Sequence, residues 1–128
     1  MTMMDISIGL ISETNEIVIP EKAAAHIGSG KLQVYATPAM VSMIERTCRD
    51  MIDPLLPSGE TSVGSLLKVR HLAPTPIGKE IKARAEVIAV EGNKVTFHVS
   101  VEDEVELVGE AEHQRVIIDE RRFIKRVQ

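Results

Sequence analysis

Three side chains that together could run acyl chemistry stand far apart in this chain: the hydroxyl of Thr37, the carboxylate of Glu45 and the imidazole of His71. A hydroxyl, a carboxylate and an imidazole form a set that can activate an oxygen nucleophile toward an acyl carbon. Each also has an ordinary reading. Thr37 precedes Pro38 where an amphipathic run begins, which predicts a helix cap. Glu45 falls at the edge of that run's apolar stripe, beside Val41 and Ile52, where a flanking carboxylate packs its methylenes and wets its head. His71 ends a strand alternation and reads alone as a satisfied structural histidine. Two more polar residues, His113 and Arg115, share strand parity with Ala111 and Leu107. His113 reads as a histidine bonded to its sheet neighbours in preference to a second catalytic base. Arg115 on the apolar side of a strand requires an anionic or carbonyl partner: a pantetheine chain, a phosphate, or a carboxylate such as Glu45.

The elements that must position these groups follow from periodicity. Met40, Val41, Ile44, Cys48, Met51, Ile52 and Leu55 fall at helical spacing, with Ser42, Arg46, Arg49, Asp50 and Asp53 opposite. This predicts one amphipathic helix opened by Thr37 and Pro38 and closed by Pro54 and the Pro57-Ser58-Gly59 cluster. Ahead of it, ISIGLI (6–11) and EIVI (16–19) flank a turn-like SETN, which predicts extended chain with a bend. HIGSGK (26–31) lacks the rest of a phosphate loop and reads as a flexible connection. After the helix, Val63, Ser65, Leu67, Val69 and His71 alternate on one side, and APTPIG breaks the chain. Further strands begin at Glu80 and Lys94, and a last one runs from Glu106 to Ile118. The expected class is α+β, with antiparallel strands and one helix. Ile88 and Val90 beside Val87 and Ala89 suggest apolar residues on both sheet faces. One helix covers one face, so pairing with a second copy, as a homodimer, is expected.

Composition narrows the function. At 128 residues the chain suits one domain, residues 1–128. Only 2% of residues are aromatic and the formal charge is −4, which leaves little to stack bases or attract phosphates, so nucleic acid is not an expected partner. The sequence has neither an apolar run of spanning length nor a basic-then-apolar leader, so no membrane partner and a soluble, cytoplasmic protein are expected. Cys48 is the lone cysteine. It reads as a small core residue, because nothing adjacent suggests a thiolate. The histidines and carboxylates lack compact ligand spacing, so neither metal nor cofactor is expected.

Three segments carry a resemblance: VYATPAMVSMIE (34–45), GETSVGSLLKVRHLAPTPIG (59–78) and GEAEHQRVII (109–118). Across most of its length the chain resembles the hotdog-fold acyl-CoA thioesterases, in the branch that includes fluoroacetyl-CoA thioesterase. The resemblance implies a hotdog fold, a sheet wrapped around a central helix and paired as a dimer. It also implies hydrolysis of a small or medium acyl-CoA, with Thr37, Glu45 and His71 in the catalytic positions and Gly64 and Arg115 contacting substrate. Coenzyme A would enter as part of the substrate. The segment HIGSGKLQVYA (26–36) holds one aromatic where the fluoroacetyl-specific relative has an aromatic lid, so fluoroacetyl selectivity is not implied. The terminal ERRFIKR run (120–126) reads as a solvated strand end that could also hold coenzyme A phosphates. The same residues would serve a non-catalytic hotdog module that binds an acyl or CoA-like ligand, or a purely structural dimer.

Overall fold

A computed structural model describes residues 5–128. The expectation that the amino terminus lacks a leader falls partly on residues 1–4 and lies outside the described residues. Strand β1 (Ile11–Ile17) leads through a single 3-10 turn (Pro20–Lys22) and the four-residue helix α1 (Ala24–Ile27) to the long helix α2 (Thr37–Ile52). A second 3-10 turn (Asp53–Leu55) precedes β2 (Glu60–His71), β3 (Glu80–Glu91), β4 (Lys94–Glu102), β5 (Leu107–Asp119) and the short helix α3 (Glu120–Lys125). All strand pairs are antiparallel, in the order β1-β3-β4-β5-β2. Helix α2 packs on β1, β2, β3 and β5. This is the α+β sheet with one central helix that the sequence leads one to expect.

The core forms where the buried face of α2 meets the inward face of the sheet. Met40, Met43, Ile44, Cys48 and Ile52 of the helix lie against Ile81, Ala83, Ala85, Val87, Val95, Phe97 and Val99. Small alanines on β3 let the helix approach, and bulky residues on β4 fill the space beyond, so large and small side chains interdigitate. The buried arc of α2 is wider than the expected stripe. It includes Met43 and Thr47, the latter with its hydroxyl bonded to the Met43 carbonyl at 2.8 Å. Bonding back into its own helix lets a threonine sit in an apolar interface without an unpaired hydroxyl.

Two bulges change what the alternation predicts. In β2 the register shifts between Gly64 and Leu66, so Gly64 pairs with Arg115 and Leu67 with His113 while Ser65 is extra. The inward set is therefore Ser62, Gly64, Leu67, Val69 and His71; Val63 and Ser65 do not share a side with Leu67. In β3 a shift between Val87 and Ala89 turns Val90 toward the core. The second bulge takes Val90 off the outer face, where Ile88 remains 44% exposed. That face carries Arg84, Glu86, His98, Glu110 and Glu112, with Lys68 directly opposite Glu112 and Arg70 opposite Glu110. Cross-strand opposite charges suit a solvated sheet face, while Ile88 and the cross-strand pair of Val63 and Val116 keep part of it apolar.

SETN also departs from expectation, since it is the middle of β1 and not a bend. Ser12 to Asn15 pair with Ala85 to Lys82. Ser12 and Thr14 are half-buried and Glu13 and Asn15 exposed, so this edge strand carries polar residues on both of its sides.

Phe97 tests the packing, being fully buried on β4 with its ring stacked on His113 at 6.1 Å. Phe97→Ala should cost about 3–5 kcal/mol in urea denaturation, and Phe97→Leu distinctly less. A loss below about 1 kcal/mol for the alanine variant would contradict this core.

Candidate active site

Helix α2 begins without a side-chain cap. Ala36 is the N-cap and has no side-chain oxygen to offer, Thr37 is the first helical residue, and Pro38 follows. Thr37 is thus not the cap that its type and place suggest. Its hydroxyl instead meets His71 Nδ1 at 2.8 Å. Leaving the cap unmade forgoes about 1 kcal/mol and keeps the hydroxyl and the first-turn amides free.

His71 is the last residue of β2, where the strand gives way to a loop held by Leu72 N–H to the Val108 carbonyl and by Tyr35 N–H to the Thr75 carbonyl. The Tyr35 ring sets its edge against His71 at 6.2 Å and 75°. The Tyr35 hydroxyl donates to Glu16 at 3.4 Å, and Glu16 also pairs with Lys22 and Arg46. Burial pushes the His71 imidazole below its ordinary value, while the Ala73 carbonyl favours a ring proton more weakly. His71 Nε2 is buried and completes no hydrogen bond among the described residues. Thr37 and His71 open together into a cleft of about 410 Å³ whose walls include Ser29, Tyr35, Leu72 and Pro74.

A second group lies farther along the same helix and strand. Glu45 is half-exposed at the rim of α2, as its place on the stripe predicts, and its Oε2 is 3.8 Å from Arg115 Nη1. Arg115 is buried, with only 5% of its surface exposed. Its Nε donates to Ser62 Oγ at 2.7 Å and its Nη2 to the Ser62 carbonyl at 2.9 Å. The Ser62 hydroxyl donates to Asp53 Oδ1 at 2.6 Å, and the Thr61 hydroxyl donates to the other oxygen of that carboxylate at 2.7 Å. Arg115 Nη1 meets His113 Nε2 at 3.2 Å, and His113 Nδ1 meets the Leu66 carbonyl at 2.8 Å. Gly64 lies beneath this group. A β-carbon there would stand 2.6 Å from Glu45 Oε2 and 3.2 Å from His113 Cε1, so only glycine admits the carboxylate so close to the strand. Burial lowers the Arg115 value, with Asp53, Glu45 and Cys48 opposing.

The expected residues therefore form two groups within one chain. Thr37 and His71 touch, as do the members of the cluster Glu45, Gly64 and Arg115. Thr37 and Glu45 are separated by two helical turns, about 12 Å along the axis, and Glu45 is not part of the cleft wall at His71. Cys48 is a buried thiol raised to about 12, chiefly by burial, with Glu45 adding and Arg115 opposing, as befits a core residue. Sequence reading missed Tyr35, Ser62 and Asp53. Ser62 comes inward only because of the bulge, and Asp53 looks like an ordinary polar residue at a helix end.

Comparison with known proteins decides the family. The model of the fluoroacetyl-CoA-specific thioesterases matches residues 18–121. The fluoroacetyl-CoA thioesterase of Streptantibioticus cattleyicolor is 35% identical over 96 residues, 75% of this chain and 69% of that one. The chain belongs to the fluoroacetyl-CoA-specific thioesterase family. A solved structure of a fluoroacetyl-CoA thioesterase superposes with a TM-score of 0.90 at 30% identity over 95% of both chains. A thioesterase superfamily member from Thermus thermophilus superposes with a TM-score of 0.89 at 30% identity, covering 98% of this chain and 95% of that one. Variants of a fluoroacetyl-CoA thioesterase have been solved with fluoroacetate and CoA and with acetyl-CoA. The fold is the hotdog fold of this family, and the protein is a thioester hydrolase. No helix among the described residues is long and apolar enough to cross a membrane.

The half-buried His71 and the buried His113 give a prediction with a definite sign. Burial is the first cause of depression for His71 and for His113, and Arg115 adds to it at His113. In this window the unfolded chain binds more protons than the folded one, so stability is fully present above the ordinary histidine value of 6.5 and is lost as pH falls through the folded values. Ring resonances of His71 and His113 should titrate below 6.5 by NMR, and the urea midpoint should fall between about pH 7.5 and about pH 5.5. A midpoint at or above 6.5 for either ring would contradict the assignment.

Proposed function

We propose that residues 1–128 act as one hotdog domain that hydrolyses small or medium acyl-CoA thioesters, and that its active site is completed by pairing two chains. The observation that carries the reading is the Thr37 hydroxyl at 2.8 Å from His71 Nδ1, at the mouth of a cleft. A threonine that forgoes its cap to bond an imidazole is arranged as an oxygen nucleophile with its base. His71, kept neutral by burial, takes the hydroxyl proton as Thr37 Oγ attacks the thioester carbonyl. The uncapped amides at the start of α2 are suited to the oxygen that gains charge in this step. The C–S bond then breaks, CoA leaves as the thiol by taking the proton from His71, and water cleaves the acyl-threonine to the free acid.

Glu45 enters through the partner. Strand β2 is a sheet edge twelve residues long, and an unpaired edge of that length invites a second strand. A two-fold axis through its middle would lay His71 opposite Glu60 of the partner subunit and Gly64 opposite Leu67 of the partner subunit. The Thr37–His71 pair of each protomer would then face the same side of the joined sheet as the Glu45–Gly64–Arg115 group of the other, with Gly64 of the partner subunit four residues, about 13 Å, along the strand from His71. There Glu45 activates the hydrolytic water while Arg115 and the backbone at Gly64 contact the acyl-CoA. Val41 and Leu67, both half-buried, offer aliphatic surface to the acyl chain, with the fully buried Met40 and Ile44 belonging to the core.

Thiol release from a panel of acyl-CoAs tests the reaction. Short and medium aliphatic thioesters should turn over faster than aryl-CoA, and fluoroacetyl-CoA should show no exceptional advantage. Glu45→Gln should lower kcat by roughly a hundredfold or more without a comparable fall in melting temperature. Saturable acyl-CoA binding without thiol release from the unsubstituted chain would assign it instead to a non-catalytic module. Full activity in Glu45→Gln would return the glutamate to a solvated flank.

A further inference from the structure

We propose that His113 is a positioning residue for thioester hydrolysis: as a neutral hydrogen-bond acceptor it aims Arg115 at Glu45 and the surface over Gly64. The inference rests on the thioesterase reading of this site. It starts from a count of donors. A guanidinium has five N–H groups, and three are used on Ser62 Oγ, the Ser62 carbonyl and His113 Nε2. One remaining N–H belongs to Nη1, the atom 3.8 Å from Glu45 Oε2. The guanidinium is one rigid plane, held by Ser62 at Nε and Nη2, and the bond to His113 adds the third point that fixes it at Nη1.

The tautomer follows from the partners. A carbonyl only accepts, so the 2.8 Å contact of His113 Nδ1 with the Leu66 carbonyl requires the proton on Nδ1. Nε2 then carries a lone pair directed at Arg115 Nη1, which is always a donor. With its one lone pair held by a guanidinium that stays protonated, His113 is not placed to serve as the base. Phe97 stacks on the ring at 6.1 Å, and the bulge at Ser65 sets the register that places the Leu66 carbonyl beside His113. The chain from Leu66 through His113, Arg115 and Ser62 to Asp53 therefore holds one buried cation from two sides. The Asp53 side offsets the charge. The His113 side sets the direction.

A double-mutant cycle distinguishes positioning from general structure. His113→Leu removes the acceptor and should lower kcat for acetyl-CoA on the order of tenfold to a hundredfold. His113→Gln, which can still offer an oxygen to Nη1, should recover most of that loss. In an Arg115→Met background, His113→Leu should cause no further loss. Independently, ¹⁵N spectra of the unsubstituted protein at neutral pH should show the His113 proton on Nδ1. An equal fall in kcat with and without Arg115 would overturn the proposal, as would a proton on Nε2. If His113→Leu does not fold, the glutamine variant and the tautomer decide. Absence of turnover in the unsubstituted chain would fail the hydrolase reading alone; the same cycle read in the Kd for acetyl-CoA would then decide whether His113 acts through Arg115.

Discussion

The extra residue at Ser65 is the constraint on which the site depends. Gly64 and His71 are seven positions apart, an odd number, and a regular strand would send them to opposite faces. One bulged residue restores both to the helix side. It also turns Ser62 inward, where it accepts from one side of the Arg115 guanidinium and donates to Asp53. Without the bulge Val63 would occupy that place, and the buried cation would lose the hydroxyl that accepts from its Nε. Leaving such a donor unpaired commonly costs about 1–3 kcal/mol or more. The same irregularity thus serves the fold and the chemistry, because it satisfies Arg115 and presents Gly64 beneath Glu45.

Helix α2 acts as a ruler along this strand. Its uncapped start holds Thr37 against His71, and two turns later its rim holds Glu45 against the Arg115 cluster. Between these sites the buried arc is filled by Met40, Met43 and Ile44, which leaves no route for the two groups to approach within one chain. Close packing fixes that separation as firmly as covalent geometry would. A symmetric partner is the economical way to unite them, since antiparallel pairing of an edge strand with its own copy brings unlike ends together.

Much of this was legible before the structure. The extent of α2, the long strands, the rim position of Glu45 and the family itself all follow from periodicity and from the segments around Thr37, His71 and Arg115. What was not legible has physical causes. A bulge adds one residue and breaks alternation without a compositional mark, so Val63 was grouped with Leu67, and Val90 was placed on the outer face. Thr37 has the type and place of a cap, and only the arrival of His71 from a distant strand diverts its hydroxyl. SETN looks like a turn because edge strands admit polar residues. Ser62 and Asp53 have no sequence signal, because their roles exist only once Arg115 is buried against Ser62.

The shared site is tested most directly by combining two disabled chains. His71→Ala and Glu45→Gln chains, co-expressed with different affinity tags and purified through both, would form a pair in which one site keeps His71 from one protomer and Glu45 from the other. The account expects that hetero-pair to release CoA from acetyl-CoA at about half the rate of the unsubstituted pair, one of its two sites being intact, while each variant alone is nearly inactive. A purified hetero-pair no more active than its parents, or failure of the two chains to pair at all, would contradict it.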